Sequence, residues 1–348
     1  MTPEARAAID AVERRARSDA ESARHRIAAA LGDLDVEAAT AGLMAAARIT
    51  VNFHPDRLAP GGTVVEGLVS TGVYRSQFTT GISNGSRSAI EGGFRTELER
   101  GLFGDAYDEA PEHRPAYGTL DLLNDTRGGS PGFGSCHLVL RPEVADRCTF
   151  TVGDSYLGPT DVGTVATPLS LLAGLADQAA ATDLLGRPLG VEALASILRG
   201  EPQPPTTDRR LESYIEAHVH GGIDLRHDVA EVVADPAFAD RDTGRHLRAL
   251  AELADVELSW HAGNELAAER FPADFRRPDL PEMASEVARA DGIVDAAVIG
   301  DRARTIEPGP PTLEGDQADH PLQWVKHLWQ ALVVFGDDTR PTSPISRD

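Results

Sequence analysis

Three polar residues alternate along one apparent β-strand. The segment 214–225 reads Tyr-Ile-Glu-Ala-His-Val-His-Gly-Gly-Ile-Asp-Leu, which places Glu216, His218 and His220 at every second position. Successive strand side chains point to opposite faces, so these three point the same way and Tyr214 shares their phase. A carboxylate and imidazoles on an otherwise apolar strand indicate a candidate catalytic or metal site. The alternative is a strand with one solvated face.

A polar loop is the second candidate. Residues 70–86 read Ser-Thr-Gly-Val-Tyr-Arg-Ser-Gln-Phe-Thr-Thr-Gly-Ile-Ser-Asn-Gly-Ser and combine hydroxyls, one Arg, one Gln and three glycines. Backbone amides and short side chains in such a stretch can bind a polar ligand. The same composition is also typical of a turn-rich surface loop, so both interpretations stay open.

A third candidate lies where the first predicted strand ends, at Phe53-His-Pro-Asp-Arg57. Loops at strand ends often carry function, although a single histidine there can equally be a structural hydrogen-bonding residue. The glycines of the chain form neither a Gly-x-Gly-x-x-Gly motif after a strand nor a P-loop. A Rossmann or P-loop nucleotide site is therefore not expected.

Composition limits the possible partners. The 348 residues include 55 acidic and 33 basic side chains, giving a net charge of −22, and we find no basic stripe. Nucleic acid is a disfavoured partner, because such a chain repels phosphate backbones. The sequence has no apolar run of membrane-spanning length and no signal-peptide pattern. Cys136 and Cys148 fall in different predicted strands, so we expect a cytoplasmic protein without structural disulfides.

These candidate residues need a scaffold, and β-branched runs bounded by Gly, Pro and Asp predict its strands. The predicted strands are 48–53, 137–140, 148–152, the segment around Tyr214, and 256–261. Apolar periodicity predicts helices at 167–185, 191–198, 242–253 and 281–290. Strands and helices do not alternate regularly, so the fold class is α+β.

The two ends of the chain differ from the central part. Residues 3–31 predict a long exposed helix, and a second helix follows through Ala47. A Pro-rich link at 201–207 joins helical and strand segments, and an acidic linker precedes an amphipathic helix at 322–335 and a disordered tail. We therefore divide the chain into an N-terminal helical appendage (1–47), a catalytic domain (48–300) and a C-terminal linker, helix and tail (301–348).

Five segments carry a resemblance to known proteins. In order, they resemble a bacterial family catalogued only as a domain of unknown function, and their order is similar to that of the ADP-ribosyltransferase superfamily. The resemblance implies a split β-sheet core with flanking helices, NAD as the substrate and a glutamate on a late strand. The segments are Phe53–Arg57, Tyr74–Gly85, Phe133–Leu140, Thr149–Ser155 and Tyr214–Gly221.

The resemblance also implies roles for individual residues. Glu216 takes the position of the catalytic glutamate, His54 that of the first-strand residue, and 64–69 that of the following helix. Tyr74 and Arg75 join them as candidate catalytic residues, and the segment 74–86 is the nicotinamide-side loop. The candidate NAD-binding residues are Arg57, Ser76, Gln77, Thr80, Gly81, Ser83, Ser135 and Ser155.

A second register of the same resemblance is open. The residue after His54 is Pro55, which has no N–H to offer the nicotinamide amide. Arg75 would then be the first-strand residue, with Ser135 or Ser155 as the central hydroxyl. Both registers end at Glu216. Arginine-modifying members carry Glu or Gln two positions earlier, where this chain has Tyr214, so modification of arginine is not expected.

The expected activity is cleavage of the nicotinamide–ribose bond of NAD, as an ADP-ribosyltransferase or an NAD glycohydrolase. The acceptor, a protein or a small molecule, is not specified by the sequence. One alternative is a metal-dependent hydrolase or oxygenase in which His218 and His220 are joined by His54 or His261. Another is a non-catalytic protein that docks partners through its terminal helices.

Overall fold

The computed structural model describes residues 1–32, 34–46, 48–59, 61–81, 89–201, 211–307 and 320–339. Fourteen strands, thirteen α-helices and six 3₁₀ helices are formed within these ranges. The strands are β1 Arg48–Phe53, β2 Leu58–Ala59, β3 Gly62–Thr63, β4 Val73–Tyr74, β5 Ala116–Asp121, β6 Cys136–Leu140, β7 Cys148–Val152, β8 Val162–Gly163, β9 Ile215–Val219, β10 Ile223–Asp224, β11 Val229–Ala234, β12 Glu257–Trp260, β13 Glu265–Ala267 and β14 Ile293–Asp295.

The helices include two single turns, α5 and α9. They are α1 Pro3–Ser18, α2 Ala20–Leu31, α3 Val36–Ala46, α4 Val64–Thr71, α5 Gln77–Thr80, α6 Phe94–Phe103, α7 Leu169–Ala180, α8 Val191–Leu198, α9 Leu225–Asp228, α10 Asp242–Ala254, α11 Leu280–Val287, α12 Ala296–Ala303 and α13 Pro321–Phe335. None of these described helices combines the length and apolar character needed to cross a membrane.

A mixed eight-stranded sheet organises the molecule, in the order β12-β11-β6-β1-β5-β9-β7-β8. Neighbouring strands are antiparallel except for β11 and β12, which are parallel. This confirms the α+β class and the strands expected at 48–53 and 148–152. The helix expected from the resemblance at 64–69 is also present, as α4, which begins with a capping box between Thr63 and Glu66.

The pairing of β1 with β5 covers only half of each strand. It runs from Arg48 opposite Asp121 to Thr50 opposite Thr119. Beyond that point β1 remains paired with β6, and β5 remains paired with β9. The sheet therefore has a change of pairing at its centre, where the end of β1 and the beginning of β5 lose their mutual hydrogen bonds.

The two faces of the sheet have different chemistry. One face carries apolar side chains such as Val51, Leu138, Phe150 and Ile215, all in the main hydrophobic core. The other face carries polar side chains that are nonetheless buried. These are Thr50 and Asn52 on β1, Thr119 on β5, His137 on β6, Thr149 and Thr151 on β7, and Glu216 and His218 on β9.

Two segments cover the polar face. Phe103 of α6 contacts the rings of His218 and His220 edge-on, with centroid distances of 5.2 Å. The chain at Gly128 and Gly129 passes directly over the strands, so that a Cβ atom at either position would lie 2.5 Å from a side-chain atom of the sheet. Glycine is required here because the backbone itself packs on the sheet.

The N-terminal region differs from the prediction of one long exposed helix. The helix is broken at Asp19 into α1 and α2, and Ile9, Val12 and Ile27 are buried. Arg26 of α2 also pairs with Asp161 at 2.6 Å. The apolar positions of these helices therefore contact the rest of the chain.

The C-terminal helix is also part of the fold. Trp329 of α13 is 1% exposed and donates its indole N–H to the Pro131 carbonyl at 2.8 Å. The use of both terminal helices as docking elements, proposed from the sequence, conflicts with the burial of their apolar faces. The Pro-rich link at 202–207, most of the acidic linker and the tail from 340 lie outside the described residues.

Candidate active site

A cavity of about 370 Å³ lies where the pairing of β1 and β5 ends. Its walls come from the end of β1, α4, β4 and α5, the start of β5, and the residues around β9. This volume is within the range of small-molecule sites, about 300–1,000 Å³. Among the sequence-predicted residues it brings together His54, Arg57, Tyr74, Arg75, Ser76, Gln77, Thr80 and Glu216.

Glu216 is a buried carboxylate on the cavity wall, with 4% exposure. Burial alone would raise the pKa of Glu216, but a hydrogen bond with His218, the Ser155 hydroxyl and the charge of Arg95 together lower this pKa below its ordinary value. The distance from His218 Nε2 to Glu216 Oε1 is 2.8 Å. At neutral pH the cavity therefore contains a fixed negative charge.

A chain of buried hydrogen bonds supports this carboxylate. Thr149 Oγ1 lies 3.0 Å from His218 Nδ1 and 3.0 Å from His220 Nε2, and Tyr107 Oη lies 2.5 Å from His220 Nδ1. We assign the protons so that Tyr107, His220, Thr149 and His218 each donate to the next member, ending at Glu216. With both imidazoles neutral, this assignment satisfies every bond and leaves the carboxylate ionised and oriented.

The prediction that Glu216 and His218 share a strand face is confirmed by their hydrogen bond. The alternative of a solvated face is wrong, since His218 and His220 are fully buried. All four of their ring nitrogens contact protein partners. Among the described residues, no three His, Cys, Asp or Glu side chains are grouped as metal ligands would be.

A second carboxylate, Asp154, also lines the cavity. It follows β7, and its Oδ2 accepts a hydrogen bond of 2.9 Å from the Tyr214 hydroxyl, while Oδ1 accepts one from the Tyr156 backbone N–H. Burial, and then the charge of Glu216, raise the pKa of Asp154. Two neighbouring carboxylates with oppositely shifted pKa values are typical of acid–base sites.

Three arginines contribute positive charge to the cavity. Arg57 is 4% exposed, and burial lowers its pKa to about 10, so it stays protonated at neutral pH. Arg75 is exposed at the rim, and the guanidinium carbon of Arg95 lies 5.1 Å from the centre of the Tyr117 ring. In a chain with a net charge of −22, this local concentration of guanidinium groups favours an anionic ligand.

His54 and Tyr74 line the cavity together with residues of α4. Burial, and then the charge of Arg57, hold the pKa of His54 well below its ordinary value, so the imidazole is neutral. Its buried Nε2 has no hydrogen-bond partner among the described residues, and its ring packs edge-on against Trp329 at 5.2 Å. Burial raises the pKa of Tyr74 to about 12, so its hydroxyl remains a hydrogen-bond donor.

The polar loop is partly described. Ser76 precedes the single turn α5, Gln77 and Thr80 lie within that turn, and Gly81 ends it in a left-handed conformation with φ of 68°. Gly81 is adjacent to the cavity wall in sequence and does not line it. Ser83 lies outside the described residues.

The two candidate central serines occupy different places. Ser155 is buried next to Glu216, whose pKa it helps to lower. Ser135 precedes β6 and does not reach the described cavity wall; its carbonyl lies 3.0 Å from His261 Nε2 instead. Neither serine lines the described cavity wall, so their predicted cofactor-binding role is not borne out by the cavity geometry, and of the two only Ser155 lies beside Glu216.

Sequence reasoning missed Arg95, Tyr117 and Asp154. Asp154 was inside a quoted segment, and its proximity to Tyr214 follows only from the pairing of β7 with β9. Tyr117 donates to the buried Glu99 at 2.8 Å, and no local pattern around either residue indicates this contact. Arg95 lies in α6, a helix that apolar periodicity did not reveal.

The chain belongs to the family "Protein of unknown function (DUF3626)". The sequence profile of this family matches residues 48–335, from the beginning of β1 to the end of α13. The described walls of the cavity all lie within this DUF3626 region. The predicted membership of a family of unknown function is therefore confirmed, and the family description assigns no activity.

Two phage proteins are similar to this DUF3626 chain. The "Gene 2 protein" of Mycobacterium phage L5 is 28% identical over 195 residues, which are 50% of this chain and 64% of the phage protein. The "Gene 2 protein" of Mycobacterium phage D29 is 32% identical over 95 residues, 27% of this chain and 34% of the phage protein. The chain thus spans less than two thirds of either relative.

Proposed function

We propose that this protein binds NAD in the cavity and cleaves its nicotinamide–ribose bond, as an ADP-ribosyltransferase or an NAD glycohydrolase. The observation that carries the proposal is the convergence of one ionised, buried carboxylate and three arginines on a single cavity of about 370 Å³. Glu216 supplies the carboxylate, and Arg57, Arg75 and Arg95 supply the cations.

The carboxylate has the chemistry that this bond cleavage needs. Loss of nicotinamide leaves positive charge on the ribose, in an oxocarbenium-like transition state. A negative charge that is already in place and buried stabilises that state more than the ground state. The hydrogen-bonded chain from Tyr107 to His218 fixes Glu216 in one orientation, so little reorganisation is required during the reaction.

The other walls suit the remaining parts of NAD. Guanidinium groups bind a diphosphate through paired hydrogen bonds. The neutral His54 has a buried nitrogen available for a ribose hydroxyl, and the ring of Tyr74 offers a surface for nicotinamide. Either His54 or Arg75 can therefore serve as the first-motif residue, because both line the cavity.

The sheet offers further support for an ADP-ribosyltransferase-like split core. The cavity lies at the point where β1 and β5 cease to pair, between the group β6–β1 and the group β5–β9–β7. The acceptor of ADP-ribose is a protein, a small molecule or water. The free, buried thiols of Cys136 and Cys148 are compatible with a reaction in the cytoplasm.

Release of nicotinamide from NAD tests this function. Purified protein is incubated with NAD carrying a label in the nicotinamide ring, with and without cell extract, and free nicotinamide is separated and counted. Release by the wild-type protein that is absent with a Glu216→Gln variant supports the proposal. Equal release by both proteins, or none under either condition, contradicts it.

The same purified protein can be used to distinguish the NAD-cleaving function from the alternative of a metal-dependent enzyme. The transferase chemistry requires no transition metal, so nicotinamide release is expected to persist after treatment with a chelator. Elemental analysis that found about one zinc or iron per chain, lost together with activity in a His218→Ala, His220→Ala double variant, would favour the metalloenzyme instead.

A further inference from the structure

The second carboxylate of the cavity has no assigned role in the proposed cleavage. Asp154 follows β7, where the Gly153 N–H donates to the Tyr214 carbonyl at 2.8 Å and extends the pairing with β9. The Tyr214 hydroxyl then holds Asp154 Oδ2 at 2.9 Å. Tyr214 and Glu216 are two positions apart on one strand face, so the two carboxylates are neighbours on the cavity wall.

This arrangement gives the two carboxylates different surroundings. Glu216 has 4% exposure and is bound by His218. Asp154 is half-buried, and each of its oxygens accepts one hydrogen bond from the protein, which leaves further acceptor capacity on both. It lies beside exposed groups, since Tyr156 and Leu157 are 64% and 67% exposed. Asp154 is thus the carboxylate nearer to an incoming acceptor.

We infer that Asp154 is a further catalytic residue, the general base that removes the proton from the acceptor hydroxyl or from water. The inference rests on the proposed function. In the step, the nicotinamide–ribose C–N bond breaks and its electron pair leaves with neutral nicotinamide. The acceptor oxygen forms the new bond to the ribose carbon, and its proton passes to the Asp154 carboxylate. Glu216 stays ionised throughout.

The charges around Asp154 agree with this role. Glu216 on β9 and Tyr214 immediately before β9 act on Asp154, as do Arg95 on α6 and the Tyr156 N–H on its own turn. Burial and the nearby negative charge of Glu216 raise the pKa of Asp154, whereas the hydrogen bond from Tyr214 lowers it. A carboxylate with a raised pKa is a better base, provided that it is ionised at the working pH.

Asp154 could also have a purely structural role, because its side chain caps the turn Ser155–Leu157 by accepting from the Tyr156 N–H. The experiment must therefore separate proton transfer from support of the turn. Asp154→Asn keeps the size and an oxygen acceptor for that cap but removes the basicity. Asp291→Asn is the matched control, since Asp291 accepts from the Ile293 N–H in an exposed turn outside the cavity wall.

Azide provides the decisive measurement. It attacks as an anion and carries no proton to remove, so it bypasses the need for a base. With water as acceptor, we expect Asp154→Asn to release nicotinamide at about one hundredth of the wild-type rate or below that. Added azide should restore release and yield azido-ADP-ribose, while Asp291→Asn behaves as wild type. Azide should not restore Glu216→Gln, because that variant lacks the stabilising charge.

A second variant keeps the inference testable if Asp154→Asn folds poorly. Tyr214→Phe removes only the hydroxyl that lowers the pKa of Asp154, so the acidic limb of the kcat/KM profile should move to higher pH. The base role is wrong if the acidic limb of Tyr214→Phe stays at the wild-type pH. It is also wrong if azide does not restore nicotinamide release by Asp154→Asn, or if this variant releases nicotinamide as fast as wild type without azide. Nicotinamide release that depends on Glu216 but not on Asp154 leaves the proposed function intact. Absence of release from wild-type protein overturns both.

Discussion

Two buried polar clusters lie on the same face of one sheet, and they differ in how their histidines are bonded. At β9, all ring nitrogens of His218 and His220 have protein partners, and the chain of bonds ends at a cavity. At β6, His137 is also fully buried, but neither of its ring nitrogens has a hydrogen-bond partner among the described residues, and it does not line the cavity.

The difference shows that a buried histidine on a strand is a weak indicator of function by itself. Around His137, Asp235 is buried with its Oδ2 4.0 Å from His261 Nε2, and burial raises the pKa of Asp235 to about 7. The surroundings of His137 and Asp235 therefore favour the neutral forms of both side chains. The cluster at β9 instead maintains one charge, on Glu216, and directs it into a cavity. A catalytic electrostatic site requires such a preorganised charge.

The largest expected effect is that of Glu216→Gln. The substitution keeps the volume and an acceptor for the His218 N–H but removes the charge that stabilises the transition state. We expect kcat for nicotinamide release to fall on the order of 10²–10³-fold, with little change in the melting temperature. Glu257→Gln, at an exposed position of the edge strand β12, is the control and should retain full activity. Undiminished release by Glu216→Gln would remove this residue from the mechanism.

A smaller effect is expected from substitution of His218, which is hydrogen-bonded to Glu216. Because the His218 hydrogen bond lowers the pKa of Glu216, His218→Phe should raise that pKa. The Glu216 contribution to the acidic limb of kcat/KM then moves to higher pH. Loss of folded protein alone would lower activity at every pH without moving the limb. His218→Gln, which retains an N–H donor, should restore part of the wild-type profile.

The rim of the cavity should affect binding more than turnover. Arg75 is exposed, so removal of its guanidinium group is expected to weaken NAD binding by about 1 kcal/mol, or roughly fivefold in Kd. Calorimetry with NAD on Arg75→Ala measures this, and Arg24→Ala on the exposed side of α2 serves as the control. If Arg75→Ala and wild type bind NAD equally, the rim arginine has another role.

Local patterns predicted β1 and β7 but missed β5, the strand at the centre of the site, and also β11, although β11 contains a β-branched run. β1 and β7 were expected at their observed bounds. β5 was missed because it contains Gly118, which disfavours a strand locally. The fold requires that glycine, since a Cβ there would lie 2.6 Å from the Thr50 carbonyl. Such a requirement arises from the partner strand and is invisible in a single sequence.

The site residues also divide into those that a local sequence pattern indicates and those that only tertiary contacts bring to the cavity. Glu216, Tyr74 and Arg75 were found because strand periodicity and a polar loop are local signals. Asp154 and Arg95 were missed because the pairing of β7 with β9 and the packing of α6 bring them to the cavity. Ser135 was selected for its hydroxyl, and the structure places it beside His261.

The smallest expected effect comes from His137, whose ring nitrogens have no hydrogen-bond partner in the described part of the chain. Burial, and then the charges of Arg48 and His261, hold the pKa of His137 well below 6.5. The unfolded chain therefore binds a proton that the folded protein does not, and stability is lost as the pH falls below 6.5. His137→Leu removes this proton uptake and a buried polar group, at a cost in shape of about 1 kcal/mol or less. Thermal unfolding between pH 8 and pH 5 should show a shallower loss of stability for His137→Leu than for wild type, with nicotinamide release unchanged. A loss of release in this variant would mean that the two clusters share one function.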